Sequence, residues 1–96
     1  MRLELHPLAH SDISRIVDHY KRAGADLADE FYSELRSFFD KAANSHESYA
    51  IKERDIRRVN LERFPFHFLF RIIDDRVRIL VVRHHSRRPS LGTRRR

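Results

Sequence analysis

The chain has 96 residues, with 20 Lys/Arg, 14 Asp/Glu, no cysteine and a formal net charge of +6. That length makes one domain, whose small core buries roughly 60–65% of the unfolded surface. The lack of cysteine excludes disulfides, thiolate metal sites and thiol catalysis, and with no apolar leader in residues 1–6 and no apolar run near about 18 residues, a soluble cytoplasmic protein is expected.

Residues 2–6 alternate, with Leu3 and Leu5 on one face, and Pro7 ends this short first strand. Ser11 or Asp12 is placed to cap a helix carrying Ile13, Ile16, Val17 and Tyr20 at helical spacing. Gly24 stands where a left-handed residue would stop that helix. A second helix starts near Asp26, and its wide aromatic stripe (Leu27, Ala28, Phe31, Tyr32, Leu35, Phe38, Phe39, Ala42) should face the main core. The short loop between them implies an antiparallel helical hairpin.

Residues 44–55 are polar and aperiodic and read as a connection. The period then becomes two: Val59 and Leu61 alternate with Arg58, Asn60 and Glu62. After Phe64-Pro65, one face carries Phe66, Phe68, Phe70 and Ile72, and the other His67, Leu69, Arg71 and Ile73. With Asp74-Asp75 as a two-residue turn, Ile72 pairs with Val77, Phe70 with Ile79 and Phe68 with Val81, so each Phe-face residue meets an apolar β-branched partner. The same register sets Leu69 against Leu80, His67 against Val82 and Arg71 against Arg78. Opposed arginines destabilise a sheet unless an anion lies between them or they splay into water. The helices can cover only one face, so the other is expected to be an open platform of Arg71, Arg78, Leu69, Leu80 and Val82. The resulting fold class is α+β: an antiparallel sheet in the order β-α-α-β-β-β with a helical hairpin on one face.

Charge is unevenly spread. Residues 1–50 carry 6 basic against 9 acidic side chains, whereas residues 51–96 carry 14 against 5. From Arg76 onward there are eight Arg and no Asp or Glu. Such a one-sided field suits an anionic partner, whether nucleic acid, an acidic protein or an anionic membrane surface, and the use of Arg for 17 of the 20 basic residues favours bidentate recognition.

Two local patterns carry a family resemblance. Arg63-Phe64-Pro65-Phe66 before the central strand, and His84-His85-Ser86-Arg87-Arg88-Pro89 near the end, resemble segments of the RelE/ParE toxins of type II toxin-antitoxin (plasmid stabilisation) systems. The Phe-rich second helix and Arg57-Arg58 agree. The resemblance spans residues 1–90, leaving 91–96 as a basic, flexible tail. It implies a growth-inhibiting toxin neutralised by a cognate antitoxin, as a homodimer or in a heterotetramer. Its target would be DNA gyrase, as in members resembling ParE, or mRNA on the ribosome, as in RNA-cleaving members resembling RelE. The latter tend to carry a Tyr near the C-terminus, and here no Tyr follows Tyr49. A non-toxic nucleic-acid-binding module and an inactive family member are the alternatives.

Were RNA cleaved, a base for the 2′-hydroxyl, an acid for the leaving oxygen and cations for the phosphorane would be needed. His84, then His85, would move the proton, and Arg63, Arg83 and Arg87 would supply charge. The bland reading of His84 is a strand-end residue hydrogen-bonded to structure. Lys52, Arg54, Arg57, Arg58, Arg71, Arg78 and Arg88, with Leu69, Leu80 and Val82, are the expected nucleic-acid or antitoxin contacts. No metal site or cofactor is expected, since His6 and His10 flank Pro7 outside any predicted helix and no Gly-rich phosphate loop exists.

Overall fold

The computed structural model describes residues 1–96. In chain order the elements are β1 (Arg2–Leu5), α1 (Pro7–Ala23), α2 (Ala25–Asn44), a turn of 3-10 helix (His46–Ser48), β2 (Ile51–Glu53), β3 (Ile56–Asn60), β4 (Phe66–Ile73) and β5 (Arg76–His84). They form one five-stranded sheet in the order β1-β5-β4-β3-β2. The β2–β5 strands run antiparallel to their neighbours, and β1 adds to β5 in parallel. The sheet is therefore mixed, because the helical hairpin returns the chain to the side from which β1 left.

The helices cover the Phe face. Phe31, Leu35 and Phe39 of α2 share a core cluster with Phe66, Phe68 and Phe70 of β4 and with Val77 and Ile79 of β5. The Phe39 and Phe68 rings meet edge to face, 4.7 Å between centroids, an arrangement the ring quadrupoles favour.

Three local expectations need correction. Helix α1 begins at Pro7, not after Ser11 or Asp12: His6 is its cap, accepting the Leu8 N–H on its side chain at 3.0 Å. Proline suits the first helical position, where its missing N–H costs nothing. His10 accordingly lies on the helix. Gly24 has φ 165, extended rather than left-handed, and α2 starts at the next residue. The residue 44–55 connection contains the edge strand β2, whose turn to β3 places Arg54 at φ 54.

The β4–β5 register holds near the turn, where Ile73 pairs with Arg76, Arg71 with Arg78 and Phe70 with Ile79. It then shifts: Leu69 pairs with Val81, Phe68 with Val82, His67 with Arg83 and Phe66 with His84. Leu80 is the extra residue of a β-bulge. Every side chain after it changes face, so Val82 joins the helix-side core, while Leu80 and Val81 turn to the other side with Ile56 and Leu69.

An ion pair supports the bulge from the edge that β1 leaves uncovered. The buried Asp12 accepts the Val82 N–H at 3.1 Å and pairs with Arg95 at 2.7 Å. Arg95 in turn donates to the Leu80 carbonyl at 3.0 Å. Backbone groups left without ladder partners are thus satisfied, as burial demands.

That contact also places the 91–96 segment, expected as a flexible tail, against the sheet. Leu91 packs against the second cluster, and Gly92, at φ 83, lies so close to Val81 that a Cβ there would fall 2.5 Å from the Val81 Cβ. Only glycine accepts both that conformation and that approach.

Candidate functional site

The sheet face opposite the helices is not an open platform. Leu69 is 4% exposed and Leu80 0%, covered by the folded-back C-terminal segment, and Val82 lies in the main core. Arg71 and Arg78 are opposed as the register requires, but each has its own carboxylate. Arg71 bonds Asp55 through Nε at 3.0 Å and Nη2 at 2.7 Å. Arg78 reaches Glu4 at 2.9 Å, and Arg76 shares that carboxylate at 3.0 Å. The anions that relieve the repulsion come from the chain itself.

Near the far end of β4 and β5 the bulge brings together a group that the unbulged register kept apart. Arg83 Nε donates to His67 Nε2 at 2.7 Å, and His67 Nδ1 lies 2.9 Å from His85 Nδ1. The two rings are nearly parallel with centroids 5.1 Å apart; given the short nitrogen–nitrogen distance they lie edge to edge, sharing a hydrogen bond. The proton positions follow. Arg83 is a pure donor, so His67 Nε2 accepts, His67 carries its proton on Nδ1, and that N–H donates to His85 Nδ1. Neutral His85 therefore holds its own proton on Nε2. His67 is pushed down to about 3 by burial and then by Arg58, Arg83 and the neighbouring histidines. Burial and Arg58 also lower His85, and burial and Arg58 lower Arg83. Arg83 further donates to the carbonyls of Pro89, at 2.7 Å, and Leu91, so it clamps the C-terminal segment to the sheet.

His84 is separate from this relay. It stands beside Phe66, with ring centroids 5.1 Å apart. Its Nδ1 accepts the Ser86 N–H at 3.0 Å, with Ser86 Oγ at 2.8 Å. Its neutral ring thus also carries the proton on Nε2.

The remaining candidates are dispersed. Arg63 pairs with Glu30 of α2 at 3.0 Å. Arg57 donates to the carbonyls of His46 and Tyr49 at 2.9 and 3.1 Å, fastening the connection to β3. Arg58 bonds Asn60 at 2.8 Å and lines, with Lys52, Leu69, Arg83 and Thr93, a groove of about 540 Å³ between the β2–β3 hairpin and the C-terminal segment. Arg54, Arg87 and Arg88 are exposed. Sequence reasoning missed His67 as a site residue, because its partnership with Arg83 depends on the bulge.

A second groove, about 710 Å³, runs between the helices and β1 and is lined by Leu3, Leu5, Ile13, Val17, Tyr32 and Phe39 among others. Exposed Tyr32 is on its wall, and exposed Leu27 belongs to the same helix. No helix is long and apolar enough to cross a membrane.

The α+β order, with paired helices on one face of a five-stranded, Arg-rich sheet, is the RelE/ParE fold. Residues 3–89 match the sequence model of the ParE toxin of the type II toxin-antitoxin system, parDE. The chain belongs to that family. Among solved structures it is similar to a chain of the chromosomal ParDE TA system from P. aeruginosa, at TM-score 0.77 and 24% identity over 88% of this chain and 95% of that one. It is also similar to the isolated E. coli RelE toxin, at TM-score 0.55 and 13% identity over 96% and 92% of the two chains. No curated protein sequence matches.

Proposed function

We propose that this ParE-family toxin arrests growth by binding DNA gyrase, with no RNA-cleaving step of its own, until a cognate antitoxin covers it. The observation that carries the choice is the inward engagement of both histidine lone pairs: His84 Nδ1 accepts from Ser86 and His85 Nδ1 from His67. Each ring offers solvent an N–H, which can donate to an anion but cannot take a proton from a 2′-hydroxyl. The candidate cations do not converge either, since Arg63 is tied to α2 and Arg83 to the C-terminal segment. The gyrase target itself comes from the family resemblance.

Antitoxin docking belongs to the helix-side groove. Of the arginines first expected there, Arg71 and Arg78 are paired with Asp55 and Glu4, whereas the groove joins apolar walls to the charged rim of Asp18, Lys21, Asp29 and Arg36, as an amphipathic segment requires. The test is induced expression of the wild type and of the His84→Gln/His85→Gln double variant, reading growth and transcript integrity. Growth arrest by both, with intact transcripts, is expected; loss of arrest and of transcript cleavage together in a folded double variant would overturn the proposal.

A further inference from the structure

The eight arginines from Arg76 onward divide into two sets. Arg76 and Arg78 share Glu4, Arg95 pairs with Asp12, and Arg83 is held by His67 and two carbonyls. The side chains of Arg87, Arg88, Arg94 and Arg96 are exposed and have neither a carboxylate within ion-pair distance nor a hydrogen bond to any other residue. Arg87, Arg88 and Arg94 border one concavity of about 340 Å³ over the backbone of Ser90, Leu91 and Gly92. The Arg83 and Arg95 contacts and the close fit of Gly92 on Val81 hold the segment's backbone against the sheet, and the free guanidinium groups project from it.

We propose that this arginine surface, built on the clamped C-terminal segment, binds the phosphate backbone of duplex DNA. The choice of DNA over an acidic protein rests on what the surface lacks. The centre of a protein interface is more apolar than its rim, whereas Leu91 is the one hydrophobic residue lining the concavity of Arg87, Arg88 and Arg94, and the exposed Leu8 stands by itself beside Arg94 and Arg96. Phosphate-backbone binding needs only cations, and guanidinium groups match phosphate oxygens in pairs. The exposed His85 Nε2–H, next to Arg87 and Arg88, adds a neutral donor. DNA is preferred over RNA on the strength of the gyrase reading, because the target would present duplex DNA beside the bound toxin.

The test uses the purified full chain without gyrase, so that its outcome is independent of the proposed target. Fluorescence anisotropy would follow binding to a labelled DNA duplex of mixed sequence, with duplex RNA and polyglutamate as competitors. Four phosphate contacts would weaken binding about 100-fold between roughly 50 and 200 mM NaCl. Arg87→Gln/Arg88→Gln should make the log–log salt slope shallower by about 1.8, whereas Arg2→Gln/Arg22→Gln, which removes equal charge from β1 and α1, should leave it within about 0.5. Equal loss in the two double variants would reduce the effect to net charge and overturn the proposal. So would failure to bind DNA at about 50 mM salt, or displacement by polyglutamate or RNA at lower concentration than by unlabelled DNA. Failure here with gyrase inhibition intact would sink only this inference; DNA binding without gyrase inhibition would sink only the proposed target.

Discussion

His67 makes the stability of this fold depend on pH in a direction that can be worked out in advance. The ring is 1% exposed and is pushed down to about 3 from an ordinary 6.5, first by burial and then by the positive charge of Arg58 and Arg83. The unfolded chain therefore binds this proton first as the pH falls. The stabilisation is complete above about pH 6.5 and is lost progressively from there towards pH 3. Each unit of pH within that window is worth about 1.4 kcal/mol, so moving from pH 7.5 to 5.0 should cost about 2 kcal/mol from this residue alone. Domains of this kind have about 5–15 kcal/mol in total, which makes the loss easy to read. The comparison is His67→Gln, whose amide oxygen can accept from Arg83 and whose NH₂ can donate to His85 while binding no proton. Urea unfolding of both proteins at the two pH values and constant ionic strength gives the difference. The wild type should lose about 2 kcal/mol more than the variant. Losses that agree within about 0.5 kcal/mol would refute the assignment of a neutral, trapped His67.

Other perturbations test the packing and the bulge. Phe68→Ala, at 0% exposure between α2 and the sheet, should cost about 3–5 kcal/mol; a melting temperature within a few degrees of the parent would show that the Phe face is not the core. Asp12→Ala strands the Val82 N–H and Arg95 at the bulge and should cost about 3–5 kcal/mol, against less than about 0.5 for exposed Asp18→Ala, both read from chemical denaturation. Gly92→Ala combines a positive φ with a clash against Val81 and should release the C-terminal segment, seen as faster amide exchange at Leu91 and Thr93; unchanged exchange would contradict the clamp.

Much of the architecture is legible in the chain because alternation is hard to imitate by chance. The alternation of Phe66, Phe68, Phe70 and Ile72, with Ile72 opposite Val77 and Phe70 opposite Ile79, fixes both the hairpin and the face that the helices cover, and the Phe-rich stripe of α2 supplies the matching surface. The extent of the open face is not legible. It depends on one extra residue, Leu80, which lies in a continuous apolar run (Ile79 to Val82) where a bulge leaves no mark in the pattern. Its support comes from Asp12 and Arg95, 83 residues apart, and one of these reads locally as a helix cap and the other as tail. The same blind spot hides the His67–His85 relay, since only the shifted register sets His67 against Arg83. Charge misleads in a related way. A run of arginines looks uniform in sequence, yet Glu4 and Asp55 neutralise those on the sheet while Arg87, Arg88, Arg94 and Arg96 remain unpaired, and no local pattern distinguishes the two sets.

The central claim, a toxin that binds DNA gyrase and cleaves no RNA, is tested most directly with purified components. The chain would be titrated into a gyrase supercoiling reaction, with a parallel ribosome-programmed translation reaction as the other arm. Loss of supercoiling with accumulation of gyrase-linked DNA breaks, and full-length mRNA in the translation arm, is the outcome the account requires. Cleaved mRNA with supercoiling untouched would contradict it.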